Sequence, residues 1–456
     1  MALMSSTTRS TGVAVAGTAP GALPLVGHAV ALLRDPLRFI ASLPAHGDLV
    51  SVRFGPLRAI VVCDPELAHQ VITNEKVFDK TGPLWRRARE VEGEGVITTV
   101  RAEHRRQRRM VQPAFHRARM PHYAEIMNEV LAEETASWRH GQVLPVSPFT
   151  LRFTSETTAR VMFTEASDPE AVAGIRVALP DLVRGVFRRM LSPAVVNWLP
   201  LPANRSFVRA RRQLQDSIHQ LITGYRSTDE KRDDMMAVLL AAQDVENGVA
   251  DAPDDAEMAA MVTGLFLAGT ETTASSGSWA MRMLAEHPDV QARVQREVDT
   301  VLGDRAPTYE DLIHLPYTRA VVTETLRLYP PAWLLARGTT SRTTLGGHTI
   351  PAGANVIYSA YLVQRLARVY PEPDRFDPDR WLNATSGCPG SFLVFGEGAR
   401  KCAGDTFALT QLMIVVAGLA RRWELRTVPG PSKGPRPRAV LHPRDLKLQL
   451  VSRGAV

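Results

Sequence analysis

Apolar and polar positions alternate through Leu49-Val50-Ser51-Val52-Arg53-Phe54, which predicts a strand. Gly55-Pro56 turns the chain, and Arg58 to Val62 predicts the return strand. Upstream, Pro24 to His28 reads as a rigid segment, and residues 1–20, small and polar, read as a flexible tail ahead of one large domain over 21–456. Thr81 to Thr99, rich in glycine and charge, predicts a loop, and Glu103 to Val111 predicts a very basic helix. From Tyr123 to Thr300 the pattern is mostly helical, with breaks at Pro193, Pro200 and Pro202. Within it, Ala256 to Glu286 is apolar on nearly all faces, the profile of a helix in the middle of a large protein. His287-Pro288 ends that helix and starts another. Turn and strand signals return between Leu345 and Tyr358, and Thr406 to Trp423 is again helical and apolar on most faces. The fold class is therefore mainly α, a helix-rich core with small β-sheets near both ends.

Composition narrows the chemistry. A chain of 456 residues, 45% hydrophobic and 22% charged, is long enough to enclose a cofactor. The net charge of +7 is compatible with nucleic acid or an acidic partner. No aromatics interleave with the basic residues as base stacking requires, so no nucleic-acid partner is expected. Three scattered cysteines, Cys63, Cys388 and Cys402, make neither a disulfide framework nor a zinc site. No apolar run reaches the roughly 20 residues of a membrane span, and a cytoplasmic location is expected.

The most informative segment is Phe395-Gly396-Glu397-Gly398-Ala399-Arg400-Lys401-Cys402-Ala403-Gly404. Cys402 stands just before an apolar helix, whose N-terminus favours a thiolate. A thiolate binds iron and pushes electron density onto it. Gly398 would permit a tight turn and Gly404 a close approach of a flat macrocycle, Phe395 would shield the sulfur, and Arg400 would pair with a propionate carboxylate. A lone cysteine is ordinarily a buried apolar thiol. A nucleotide-loop reading fails because the third glycine is missing. The spacing Phe395-x-x-Gly398-x-Arg400-x-Cys402-x-Gly404 resembles the haem-binding signature of the cytochrome P-450 superfamily, and further motifs follow in the family's order.

The resemblance implies haem b (iron protoporphyrin IX) with Cys402 as its metal ligand, and cofactor contacts from His104, Arg108, Arg337, Phe395, Gly398, Arg400 and Gly404. Glu324-Thr325-Leu326-Arg327 resembles the ExxR motif, with Arg380 as the third member of a structural triad. Ala268 to Thr273 resembles the oxygen-binding motif of a long helix. Small residues there leave space over the iron, and Thr272 returns a hydrogen bond to the helix backbone. Glu271 and Thr272 form the catalytic acid–alcohol pair that relays protons. Arg105, Arg106 and Arg109 suggest a basic docking face for an acidic electron carrier.

The implied activity is that of a monooxygenase using dioxygen and electrons from a ferredoxin and its ferredoxin reductase. Candidate pocket residues are Trp85, Val96, Ile97, Phe266, Leu267, Ala268, Trp333, Leu334 and Leu335, which are apolar and favour a lipophilic small-molecule substrate. Gly82 to Trp85, His104 to Phe115 and Pro200 to Arg205 also resemble streptomycete sesquiterpene oxidases. The specific expectation is oxidation, once or successively, of a cyclic sesquiterpene such as pentalenene or epi-isozizaene in antibiotic biosynthesis. Alternatives are a macrolide, steroid or fatty-acid oxygenase, a peroxide-driven haem enzyme, or a haem-based sensor. A side activity as a Mg²⁺-dependent cyclase would draw on Asp233-Asp234 or Asp254-Asp255, which read more simply as solvated turns.

Overall fold

The computed structural model describes residues 17–163, 168–191, 194–227, 234–246, 254–382, 388–430 and 434–454. The expected mainly helical architecture is the one adopted. Two apolar cores organise it: a large helical one, and a smaller one under the main sheet.

The predicted hairpin forms as Leu49–Phe54 and Leu57–Val62, with Leu49 opposite Val62 and Arg53 opposite Arg58. It belongs to a six-stranded sheet in the order Gly17–Thr18, Leu49–Phe54, Leu57–Val62, Asn355–Tyr358, Leu335–Thr339, Phe78–Asp79. The parallel pairing of Leu57–Val62 with Asn355–Tyr358 joins the hairpin to a strand far downstream in the chain. The end of the segment expected as a tail, over residues 1–20, holds strand Gly17–Thr18. Gly17 and Thr18 pair with Val50 and Ser51, and Ala19 is buried, because the edge of the hairpin offers free backbone groups that this segment satisfies. Residues 1–16 lie outside the described residues, as does the helix break expected at Pro193.

A correction concerns the loop expected from Thr81 to Thr99. Pro83–Glu92 is a helix, with Pro83 in its first turn and Gly82 and Gly93 at its ends, both at positive φ. The glycines mark boundaries, and the Arg, Ala and Glu between them are good helix formers.

The long apolar stretch forms one helix, Asp255–Glu286, capped by the Asp254 side chain. Helix Val146–Met162 packs along it, tied by Thr150 Oγ1 to Ser278 Oγ at 2.7 Å and by Thr154 Oγ1 to the Thr270 carbonyl at 3.1 Å. Helix Asp405–Arg422, which follows the cysteine loop, packs against the long helix and against Met120–Thr135 and Pro288–Leu302. The long helix is also pinned from its other side: Ser275 Oγ and Trp279 Nε1 both donate to the Leu441 carbonyl at 2.7 Å. Among the described residues no helix is long and apolar enough to cross a membrane.

Candidate active site

The loop before helix Asp405–Arg422 is held by its own backbone. Cys402 N–H donates to the Phe395 carbonyl at 2.7 Å, and Lys401 N–H to Gly398 at 3.1 Å. Gly396 and Gly398 both adopt φ near +65°, and a Cβ on Gly398 would stand 3.1 Å from Thr73 Cα, so the turn against helix Pro65–Thr73 demands glycine. Glu397 ties the loop to that helix through His69 Nδ1 at 2.5 Å. Cys402 keeps accessible surface, yet the enclosing protein pushes its thiol above the ordinary range, while the Gly404 N–H, Arg108 and Lys401 pull it down. Cys63, by contrast, is wholly buried and pushed up to about 12 by burial and nearby Asp48, an inert thiol.

Two residues of the loop make contacts within the chain itself. The Gly404 backbone faces the Phe115 ring, with a Cβ there 3.1 Å from Cε1, so its clearance serves packing against Phe115. Arg400 is claimed by the protein itself: Nη2 donates to Asp79 at 2.6 Å and Nη1 to the Thr99 carbonyl at 2.8 Å, with Glu75 at 3.7 Å. These two carboxylates are buried, so Arg400 is charge-paired within the chain.

Helix Arg101–Val111 brings His104 and Arg108 to one face. Arg108 Nη1 donates to the Lys401 carbonyl of the cysteine loop at 2.6 Å. His104 is buried with Nδ1 unpartnered, and its pKa is pushed down to about 3 by burial and by the positive charges of Arg400, Lys80, Arg108 and Arg337. Arg337, 5% exposed, donates to the Ala336 carbonyl at 3.0 Å, lies beside the Trp85 and Tyr358 rings, and has no carboxylate partner among the described residues. Several cations thus converge on a neutral imidazole with a spare nitrogen. Such a cluster suits anions, and the neighbouring thiol suits a soft metal. This donor set fits haem b: the sulfur for iron, and His104, Arg108 and Arg337 for the two carboxylates. Among the described residues no cluster of His, Cys, Asp or Glu offers a rival metal site.

On the long helix, Ala268 is exposed although the half from Thr273 to Ala285 is almost entirely buried. Thr272 Oγ1 donates to the Ala268 carbonyl at 2.6 Å, four residues back. Glu271 Oε1 stands 3.3 Å from His442 Nε2. Nothing local points to His442: it lies 171 positions downstream, in a strand that only folding brings to the helix.

Glu324 and Arg327 are fully buried on helix Pro316–Leu328, with Arg327 Nε to Glu324 at 2.8 Å and Arg380 Nε to Glu324 at 3.0 Å. Glu324 also accepts from Asp377 N–H and Trp381 Nε1. Arg327 reaches the Gln364, Pro373 and Arg375 carbonyls, in the segment leading to the cysteine loop.

The expected pocket residues have varied surroundings within the chain. Trp85 is buried, with its indole N–H on the Ala336 carbonyl at 2.8 Å. Ile97 faces Gly264 of the long helix, and Val96 and Phe266 belong to the helical core. Trp333, Leu334 and Leu335 pack into the core under the sheet, because Trp333 anchors both the Arg438 carbonyl and Ser359. Of the set, Leu267 lines a cavity of about 540 Å³ beside the long helix. That cavity also carries Glu94, Gln107, Arg211 and Glu257, so it is more polar than expected. Its organiser is Glu257, which accepts from Gln107 Nε2 at 2.5 Å and from Arg106. Arg106 therefore turns inward rather than joining a docking face. Asp234, expected in a solvated turn, is buried and caps helix Met235–Glu246 through Ala237 N–H; Asp254 caps the long helix. Asp233 lies outside the described residues.

Residues 18–450 match the family model described as "Cytochrome P450". The chain is 44% identical over 434 residues to cyclooctatin synthase of Streptomyces melanosporofaciens, covering 94% of each. It is 40% identical over 442 residues to pentalenene oxygenase of Streptomyces avermitilis, covering 96% of this chain and 98% of the relative. It is also 42% identical over 417 residues to cyclooctat-9-en-7-ol 5-monooxygenase of S. melanosporofaciens, covering 91% and 90%.

Proposed function

This chain belongs to the cytochrome P450 family, and on that footing we propose that it is a haem-thiolate monooxygenase of a cyclic terpenoid, with Cys402 as the iron ligand. The observation that carries the site is the Cys402 loop set beside cations that surround a neutral, buried His104 whose Nδ1 has no partner.

Haem, when bound, supplies the activation of dioxygen; the protein supplies ligation, protons and shelter. Cys402 gives the thiolate, with Phe395 beside it in the same loop. His104, Arg108 and Arg337 hold the carboxylates, while Arg400 fixes the loop to Asp79. The Thr272 hydroxyl, held by the Ala268 carbonyl, marks the point on the long helix where polar groups meet the substrate side. Glu271 holds and releases the proton beside it. The triad of Glu324, Arg327 and Arg380 keeps the segment before the loop in place.

The substrate class rests on relatives named for pentalenene and for cyclooctat-9-en-7-ol. A pentalenene-like cyclic sesquiterpene stays within that class. The polar lining of the 540 Å³ cavity extends it to ring systems that already carry a hydroxyl. Electrons come from a ferredoxin and its reductase in the cytoplasm. Half-exposed Arg105 and Lys401, near the cysteine loop, suit an acidic carrier.

The test is a spectral titration of the ferric protein. A ligand that displaces iron-bound water shifts the Soret band. Cyclic terpene hydrocarbons or alcohols should shift it, whereas fatty acids, steroids and macrolides should not. A shift with a fatty acid, steroid or macrolide and with no terpenoid would overturn the substrate class.

A further inference from the structure

His442 and Glu271 are set at a fixed distance by the architecture around them. The carbonyl of Leu441, next to His442, accepts from Ser275 and Trp279. Those residues are one and two turns beyond Glu271 on the same helix, so all three share a stripe. His442 is thereby fastened to the helix that carries its partner, and Nε2 stands 3.3 Å from Glu271 Oε1. His442 also lines a surface cleft of about 390 Å³, which Glu271 does not line. The histidine therefore faces this cleft, and the carboxylate, although partly exposed, does not. The charged groups around it are Glu271 from the long helix, Arg436 from strand Pro435–Pro437, Arg438 from the turn that follows, and Arg444, Asp445 and Lys447 after it.

A structural ion pair explains this arrangement poorly. Both side chains are partly exposed, at 22% and 24%, where a pair contributes little stability. The mechanical attachment is already made by Ser275 and Trp279. Histidine is the side chain whose ordinary pKa, about 6.5, lets it take and give protons near neutral pH.

We propose that His442 is the solvent-side proton carrier for Glu271. The imidazolium gives the proton on Nε2 to Glu271 Oε1, leaving neutral imidazole and a carboxylic acid. The imidazole then takes a proton from water in the cleft, and Glu271 passes its own inward. Each proton consumed inside is replaced by one from solvent, and no electron moves in this step. The proposal rests on the reading of Glu271 as the proton donor. His442 acts through Glu271 and is a positioning and relay residue, not one that touches the reacting atoms.

The experiment compares wild type, His442→Gln, His442→Arg and Glu271→Gln as holoenzymes, each checked for an intact carbon monoxide spectrum and terpenoid-induced Soret shift. Product formed per electron pair, peroxide released, pH profile and solvent isotope effect are measured. Infrared difference spectra follow the carboxyl stretch assigned by its loss in Glu271→Gln. His442→Arg keeps a cation beside Glu271 but holds its proton at working pH. Both His442 variants should lose roughly tenfold in product per electron pair, release more peroxide and show a larger solvent isotope effect. The Glu271 carboxyl signal should change with them. Should His442→Gln fail to fold, His442→Arg carries the test alone. Full coupling in His442→Arg, or an unchanged pH profile with a loss in Glu271→Gln, would overturn the role of His442 and leave that of Glu271 standing. Full coupling in Glu271→Gln would overturn the reading beneath it.

Discussion

His104 links local electrostatics to stability. Its ordinary pKa of 6.5 falls to about 3 in the folded chain, because burial and four cations oppose a further positive charge. The folded state therefore binds fewer protons than the unfolded state between those values. This contributes stability that is complete above pH 6.5 and lost as pH falls toward about 3. In the haem-free chain, urea denaturation at pH 7 and at about 4.5 should show a larger acid loss for wild type than for His104→Asn. Equal losses would contradict the environment described for this residue. Gly398 makes a second residue-scale prediction. With φ at +65° and Thr73 Cα 3.1 Å from a Cβ, Gly398→Ala should cost about 1–3 kcal/mol. It should also reduce haem retention, measured as the ratio of Soret to protein absorbance; unchanged retention and melting would show that the loop tolerates a side chain. His104 and Arg108 were legible as a pair from their spacing. The Asp79 and Glu75 partners of Arg400 were not, because nothing local ties them to the cysteine loop.

Among the elements, those with strong periodicity were read within a few residues. The hairpin, the long helix and the helix after Cys402 follow from alternation or from apolar length. Helix Pro83–Glu92 was missed because its apolar content is low and its flanking glycines look like loop signals. The buried Glu324–Arg327–Arg380 network governs the element before the cysteine loop. Every acceptor and donor described for Glu324 and Arg327 is matched, so removing one partner strands a buried charge. Glu324→Ala or Arg327→Ala should cost about 3–5 kcal/mol in thermal or denaturant unfolding. Arg380→Ala, at a more accessible position, should cost less. A loss below about 1 kcal/mol for Glu324→Ala would show that the network is not a clasp.

Over the whole molecule, the order of motifs carried more than any single one. Cys402, the Glu324–Arg327 pair and the Ala268–Thr273 segment are far apart in sequence, and the fold brings their helices into one helical core. The apolar pocket was the least legible part. Phe266 and Trp333 are apolar for the sake of the core, and hydrophobicity alone does not separate lining from packing. The basic balance of +7 also belongs to this scale. Turnover supported by an acidic ferredoxin should fall with rising salt as exposed charges are screened. Lys401→Glu should weaken that salt dependence and slow electron transfer while leaving terpenoid binding intact. Salt-independent reduction would contradict a charge-steered partner.

The central claim is that sulfur of Cys402 binds the iron. The direct measurement is the absorbance of the reduced protein under carbon monoxide, for wild type and for Cys402→Ser reconstituted with haem. Wild type should give the red-shifted Soret band of thiolate ligation, and the serine variant should lack it. A haem-loaded Cys402→Ser protein that keeps the band would contradict the account.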